Sequence, residues 1–131
     1  MSRADLETVR TALSALDRRD VELYLSVASP EIELITPAAL LEGPNVGHDG
    51  VRRFFKEMEE SAEASSFEVK EVRQVGERVL AFFTVRGMGR ISGAETSMDV
   101  AGVYSVDDGK IRRAEIFADR GAALRAVGLS E

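Results

Sequence analysis

Two changes of rhythm along this chain predict an α+β fold, with helices packed on one face of a curved antiparallel sheet. Apolar residues recur at spacings of three and four as far as about residue 62 and then fall into longer alternating runs. Only a few residues separate those later runs, and connections that short make neighbouring strands antiparallel.

The first helix opens at Ser2, with Asp5 three residues on as a capping box. It carries Leu6, Val9, Leu13 and Leu16 on one face and ends near Asp17–Arg19. Asp20 caps a second, shorter helix with the stripe Val21, Tyr24, Leu25 and Ala28, which Pro30 stops. A short strand over Ile32–Thr36 is ended by Pro37. Two prolines and two glycines between Pro37 and Gly47 make that stretch a loop. A third helix runs from about His48 to Ala62, with Val51, Phe54, Phe55 and Met58 together on one face.

Strands follow at Phe67–Val75, Arg78–Gly89, Glu95–Val106 and Lys110–Ala118, a four-strand meander. The turns between them are Gly76-Glu77, Ser92-Gly93 and Asp107-Asp108-Gly109. Asp119 caps a last helix through Val127, closed by Gly128. Glycines at 87, 89 and 102 lie inside strands, where they permit bulges and sharp bending. A sheet bent in this way wraps around its helices and leaves a cavity between them.

The strand Val79–Arg86 is apolar on both parities, with Val79, Ala81, Phe83 and Val85 on one face and Leu80 and Phe82 on the other. One face covers the helices, and the second needs a cover of its own. A homodimer through the outer sheet face is the simplest cover. The alternative is that the C-terminal segment folds over that face.

Composition narrows the chemistry. The 131 residues read as a single domain spanning 1–131, with no repeat, linker or low-complexity tract. There is no cysteine, hence no disulfide, thiolate nucleophile or Cys-ligated metal, and one histidine cannot build a multi-His centre. No metal and no cofactor are expected. A net charge of −6 argues against a nucleic-acid partner. No run approaches the roughly 20 apolar residues a spanning helix needs. The N-terminus MSRADLETVR lacks the apolar core of a secretory signal. A soluble, cytoplasmic protein without membrane partners is therefore expected.

The segments VRTALSALDRRDVELYLSVASPEIELITP, GHDGVRRFFKEM, DVAGVYSVDDGKIRRAEIFAD and AALRAVGL span nearly the whole chain. Their order and pattern resemble the nuclear transport factor 2-like superfamily, in its SnoaL-like and ketosteroid-isomerase-like branch. The resemblance implies a cone-shaped sheet around N-terminal helices, a deep apolar pocket and frequent dimers. It also implies a choice of chemistries, including isomerases, polyketide cyclases, epoxide hydrolases and dehydratases.

The working residues of these relatives do not carry over. Where the isomerases keep a tyrosine, a basic aspartate and a protonated aspartate, this chain has Ala12, Thr36 and either Ala101 or Gly102. The Arg-x-Asp pair of limonene-type epoxide hydrolases meets Arg86 but then Met88.

Several side chains stand out individually. Arg86 shares parity with Leu80, Phe82 and Met88, which the resemblance places on the pocket side, and its planar fork could hold a ligand carboxylate, phosphate or enolate. The competing reading pairs it with an acid such as Asp99 or Glu115, or sends it to solvent. His48 is the one histidine, the residue type suited to acid–base work near neutral pH, but it opens a helix, where a capping or loop role competes with a catalytic one. Asp99 is the candidate carboxylate inside the sheet, pointing outward if Val100 and Gly102 face the pocket. Tyr104, on the parity of Gly102, could donate a hydrogen bond into the pocket or serve as core. The run from Lys56 to Glu63 reads as a solvated helix face.

The leading expectation is a pocket protein binding a small, largely apolar molecule that carries an anionic or carbonyl group. Arg86 and Thr36 would be its polar contacts, and Leu16, Met58, Phe82, Met88, Val100, Gly102, Ala114 and Ile116 its walls. Two others stand beside it: a pocket enzyme with an unusual catalytic set built around Asp99 or His48, and a dimeric interaction module without a ligand.

Overall fold

The computed structural model describes residues 2–37, 43–61, 64–88 and 93–129, and for residues 2, 61, 64, 65 and 88 it describes the backbone alone. Helix α1 (Ser2–Arg18) buries Val9, Leu13 and Leu16, with Leu6 half-buried. Ala12 and Ala15 are also buried, and their small side chains let the helix approach the sheet closely. Its end is tight. Arg19 takes a left-handed backbone (φ 58°), and Asp20 N–H returns to the Ala15 carbonyl at 2.9 Å.

Asp20 then caps α2 (Val21–Ser26), its Oδ1 accepting from Leu23 N–H at 3.1 Å. This second helix ends sooner than its apolar stripe suggests. Ala28 and Pro30 belong to β1 (Ala28–Ile35), which starts four residues earlier than expected and ends one residue before Thr36. The reason is tertiary: Ile111 N–H donates to the Val27 carbonyl at 2.8 Å, and β1 pairs in parallel with β6 at Ala28 and again, after a bulge, from Glu33 to Ile35. The expected loop holds a two-residue strand, β2 (Asn45–Val46), antiparallel to β1. Helix α3 (Gly47–Ser61) follows, burying Val51 and Phe55 and exposing Lys56, Glu57, Glu59 and Glu60.

The meander is present as β3 (Ala64–Val75), β4 (Arg78–Met88), β5 (Glu95–Asp107) and β6 (Lys110–Phe117). The β5–β6 turn places Asp108 and Gly109 at φ 54° and 77°, the left-handed pair that a two-residue hairpin turn requires. The meander is four strands of a larger, six-stranded sheet ordered β2-β1-β6-β5-β4-β3, curved but unclosed. The register shifts between Val69 and Glu71, and again between Ser105 and Val106, are bulges that add local twist.

Each face of the sheet has its own core. Val79, Ala81, Phe83, Val100, Tyr104 and Ala114 face α1, α2 and α3. Leu80, Phe82, Ala101 and Val103 face the other way, under α4 (Arg120–Ala126), which contributes Ala123 and is followed by Val127. The C-terminal segment therefore covers the apolar part of the outer face, as the second reading of the sequence had it. Asp119 caps α4 by accepting from Gly121 N–H at 2.9 Å. Among the described residues no helix is long and apolar enough to cross a membrane.

Candidate functional site

A cavity of about 260 Å³ lies between the helices and the concave face of the sheet. Leu16 of α1, Tyr24 of α2, and Phe54 and Met58 of α3 form its helical side. Phe67, Phe83, Val85, Val100, Tyr104 and Ile116 form the sheet side, with Leu34, Thr36 and Pro37 at the end of β1. Met98, 54% exposed, marks the mouth. Arg19 lies at one rim: its guanidinium donates to Met58 Sδ at 3.3 Å and sits 6.0 Å from the Phe67 ring centre.

The polar groups of this lining are few. Thr36 is half-buried, while Tyr24 and Tyr104 are almost entirely enclosed. Burial pushes both phenols well above their ordinary range, and at Tyr104 the nearby Tyr24 adds to the shift. Both therefore stay neutral at physiological pH. Tyr24 packs edge-on against Phe55, ring centres 5.5 Å apart. Among the described residues no carboxylate, lysine or histidine lines the cavity, and no cluster of acids or histidine could hold a metal ion.

Of the residues expected in the wall, Leu16, Thr36, Met58, Val100, Tyr104 and Ile116 come together here. Gly102 and Ala114 share the concave face, one layer behind the cavity surface. Ala114 is buried in the core, and Gly102 lies beneath the Tyr104 ring. Met88 ends β4, and its side chain falls outside those described.

Phe82 and Arg86 are corrections. The register pairs Phe83 with Val100 and Ala81 with Gly102, so the odd positions of β4 share the cavity face with Val100 and Gly102, and the even positions turn away. Phe82 lies under α4, with the Arg120 guanidinium 4.2 Å from its ring centre. Arg86 is half-exposed on the outer face and pairs with Glu68, an acid outside the sequence-based candidates. That contact and Lys70 draw the Glu68 carboxyl below its usual range.

The two catalytic candidates lie elsewhere. Asp99 points outward and accepts from Thr84 Oγ1 at 2.8 Å, in a separate surface cleft with Lys70, Phe82 and Arg120. His48 Nε2 donates to the Ala28 carbonyl at 3.0 Å, tying α3 to the start of β1. That is a structural role, though a tie between two elements and not the capping or loop role expected from the sequence.

Sequence reasoning missed Tyr24, Leu34, Pro37, Phe54, Phe67, Phe83, Val85 and Met98 as wall residues. One available signal was register. Once Val100 and Tyr104 are assigned to the cavity, antiparallel pairing pulls one parity of β4 with them.

The sequence profile of the SnoaL-like domain matches residues 9–114. Among solved structures, TerC co-crystallised with polyporic acid is 23% identical, with a TM-score of 0.79 over 95% of this chain and 98% of that one. A nuclear transport factor 2-like protein from Burkholderia thailandensis is 27% identical, with a TM-score of 0.77 over 86% and 88%. A protein with a ketosteroid isomerase-like fold from Catenulispora acidiphila, in complex with trimethylamine, is 11% identical, with a TM-score of 0.77 over 94% and 93%. No curated protein sequence matches the chain.

Proposed function

This chain belongs to the SnoaL-like domain family, and from that premise we propose that it binds a small, largely hydrophobic molecule in the cavity between its helices and its sheet. The observation that carries this reading is the lining, apolar throughout except for the hydroxyls of Thr36, Tyr24 and Tyr104. Such a wall favours a ligand by removing its apolar surface from water, and its few polar groups orient it. The solved relatives with polyporic acid and trimethylamine lend support, since each takes up a small molecule on a similar fold. Retention is favoured over acid–base catalysis because the candidate proton carriers, Asp99 and His48, lie outside the cavity and are engaged elsewhere.

Titration with a neutral apolar dye, N-phenylnaphthylamine, tests the reading. Saturable one-to-one emission enhancement is expected in the wild-type protein. Val100→Trp, which fills the cavity from the sheet side, is expected to weaken it by about tenfold or more while the circular dichroism spectrum is retained. Equal binding by a folded Val100→Trp variant would overturn the reading.

A homodimer through the outer sheet face is a second, narrower proposal. With α4 over the apolar part, the strip left for a second copy carries Glu68, Arg86 and Asp99, opposite charges that a two-fold axis can bring into register. Sedimentation at micromolar concentration is expected to give the mass of two subunits, and the mass of one would overturn it.

A further inference from the structure

Resting on the cavity reading above, we propose that Tyr24 and Tyr104 form the polar pole of the cavity and select a neutral carbonyl compound by donating to its oxygen. These are the only two tyrosines of the chain, and they come from different elements, α2 and β5, to border one cavity. As whole residues they are 2% and 1% exposed, yet neither hydroxyl is among the fully enclosed side-chain atoms without a partner, where Gln74 Oε1 alone stands among the described residues. A hydroxyl that meets a ligand oxygen inside an apolar cavity makes its bond in a medium of low dielectric, where the bond is stronger than in bulk water. Both phenols stay neutral and keep their protons to donate.

The rest of the wall fixes the ligand's charge. No cation lines the cavity among the described residues, and Arg19 meets Met58 and Phe67 at its rim. An anion drawn to the tyrosines would be buried without a counter-ion, which is costly. A carbonyl group accepts without bringing a charge, and a phenol is a better donor than acceptor.

Gly102 is the positioning residue for this pole. A Cβ there would stand 2.6 Å from Tyr104 Cε1 and 2.7 Å from its Oη, closer than packed atoms approach. The bare Cα lets the Tyr104 ring fold back along its own strand. Its neighbour across the register is Ala81, another small side chain.

Calorimetry with three probes of one shape tests the proposal: acetonaphthone, ethylnaphthalene and naphthoate. Wild-type protein is expected to bind the ketone about tenfold more tightly than the hydrocarbon, and the carboxylate most weakly. Tyr104→Phe is expected to remove most of that preference while leaving hydrocarbon affinity within about twofold. Gly102→Ala is expected to act like Tyr104→Phe. In a Tyr24→Phe background it should also bring the tyrosinate absorbance midpoint down toward the ordinary value of about 10. Where Gly102→Ala does not fold, Tyr104→Phe, which deletes one oxygen, decides alone.

Equal affinity for ketone and hydrocarbon, strongest binding of naphthoate, or a preference that survives both Phe variants would overturn the tyrosine pole and leave the cavity reading standing. Binding of none of the three would overturn the cavity reading itself.

Discussion

The two faces of strands β4 and β5 are built from residues one position apart, yet they meet their covers in different ways. On the outer face, Leu80, Phe82, Ala101 and Val103 sit under a single seven-residue helix joined by a short connection to the strand that leads into it. On the concave face, Val79, Ala81, Phe83 and Val85 look toward three helices that must bridge a curved sheet. The near end of that interior is packed, with Val79, Leu13 and Ala15 almost fully buried. The far end opens into the cavity beside Phe83 and Val85. The difference teaches that burial and filling are separate properties: straight helices cannot follow a bent sheet along its whole length.

The sharpest way to break this comparison is to empty the filled face. Leu80→Ala should cost about 3 kcal/mol in urea unfolding, because Leu80 is fully enclosed and its neighbours are fixed between sheet and helix. A cost below about 1 kcal/mol would mean that α4 rests loosely on the sheet.

Next in size is a pH effect that belongs to the concave face. Tyr24 and Tyr104 have folded-state values raised above the unfolded value near 10. Between those limits the unfolded chain releases protons that the folded chain retains. Stability is therefore fully present below pH 10 and falls above it, by about 1.4 kcal/mol per pH unit for each phenol. Urea midpoints measured from pH 8 to 11 check this, and Tyr104→Phe should roughly halve the slope.

A smaller effect is expected at the cap that holds the outer cover in place. Asp119→Ala removes the acceptor for Gly121 N–H and should cost about 1 kcal/mol. Amide exchange should then rise in α4 and not in α1. The smallest effect belongs to Arg86→Ala. Its pair with Glu68 is half-exposed on the single subunit, so at a dilution that keeps subunits apart the thermal midpoint should stay within experimental error. Binding of the apolar dye should be unchanged, whereas an arginine that anchored the ligand would lower it strongly.

These cases mark how far the sequence could be read. The helical stripe of α1, the caps at Asp20 and Asp119, and the turns at Gly76-Glu77 and Asp108-Gly109 were legible because each depends on residues within a few positions of one another, while the expected Ser92-Gly93 turn lies partly outside the described residues. The parallel seam between β1 and β6 was not, since it joins Val27 to Ile111 across most of the chain. The same limit misplaced the start of β1. Ala28 has the spacing of a helical residue, but its backbone is claimed by a partner strand 83 positions away (Ile111).

The candidate site divided along the same line. Leu16 and Met58 were placed because helical spacing assigns each to a buried face, and Val100, Tyr104 and Ile116 because strand alternation was combined with the family resemblance, which set the parity facing the pocket. Phe82 and Arg86 were misplaced because β4 is apolar on both parities, so nothing within the strand says which side meets the helices. The register with β5 decides it. Tyr24 read as an ordinary member of an apolar stripe, and only the packing of α2 across from β5 brings it to the cavity that Tyr104 also borders.

By itself, then, the sequence determined the elements apart from the short β2 and the start of β1, their order, the α+β class and the absence of a cysteine-based site, all properties carried by composition and by near neighbours. The tertiary structure decided which face of β4 turns inward, that α4 and not bulk solvent meets Leu80, and that two distant tyrosines share one cavity. Those outcomes depend on strand register and on the mismatch between straight helices and a curved sheet, and both arise only when distant parts of the chain meet.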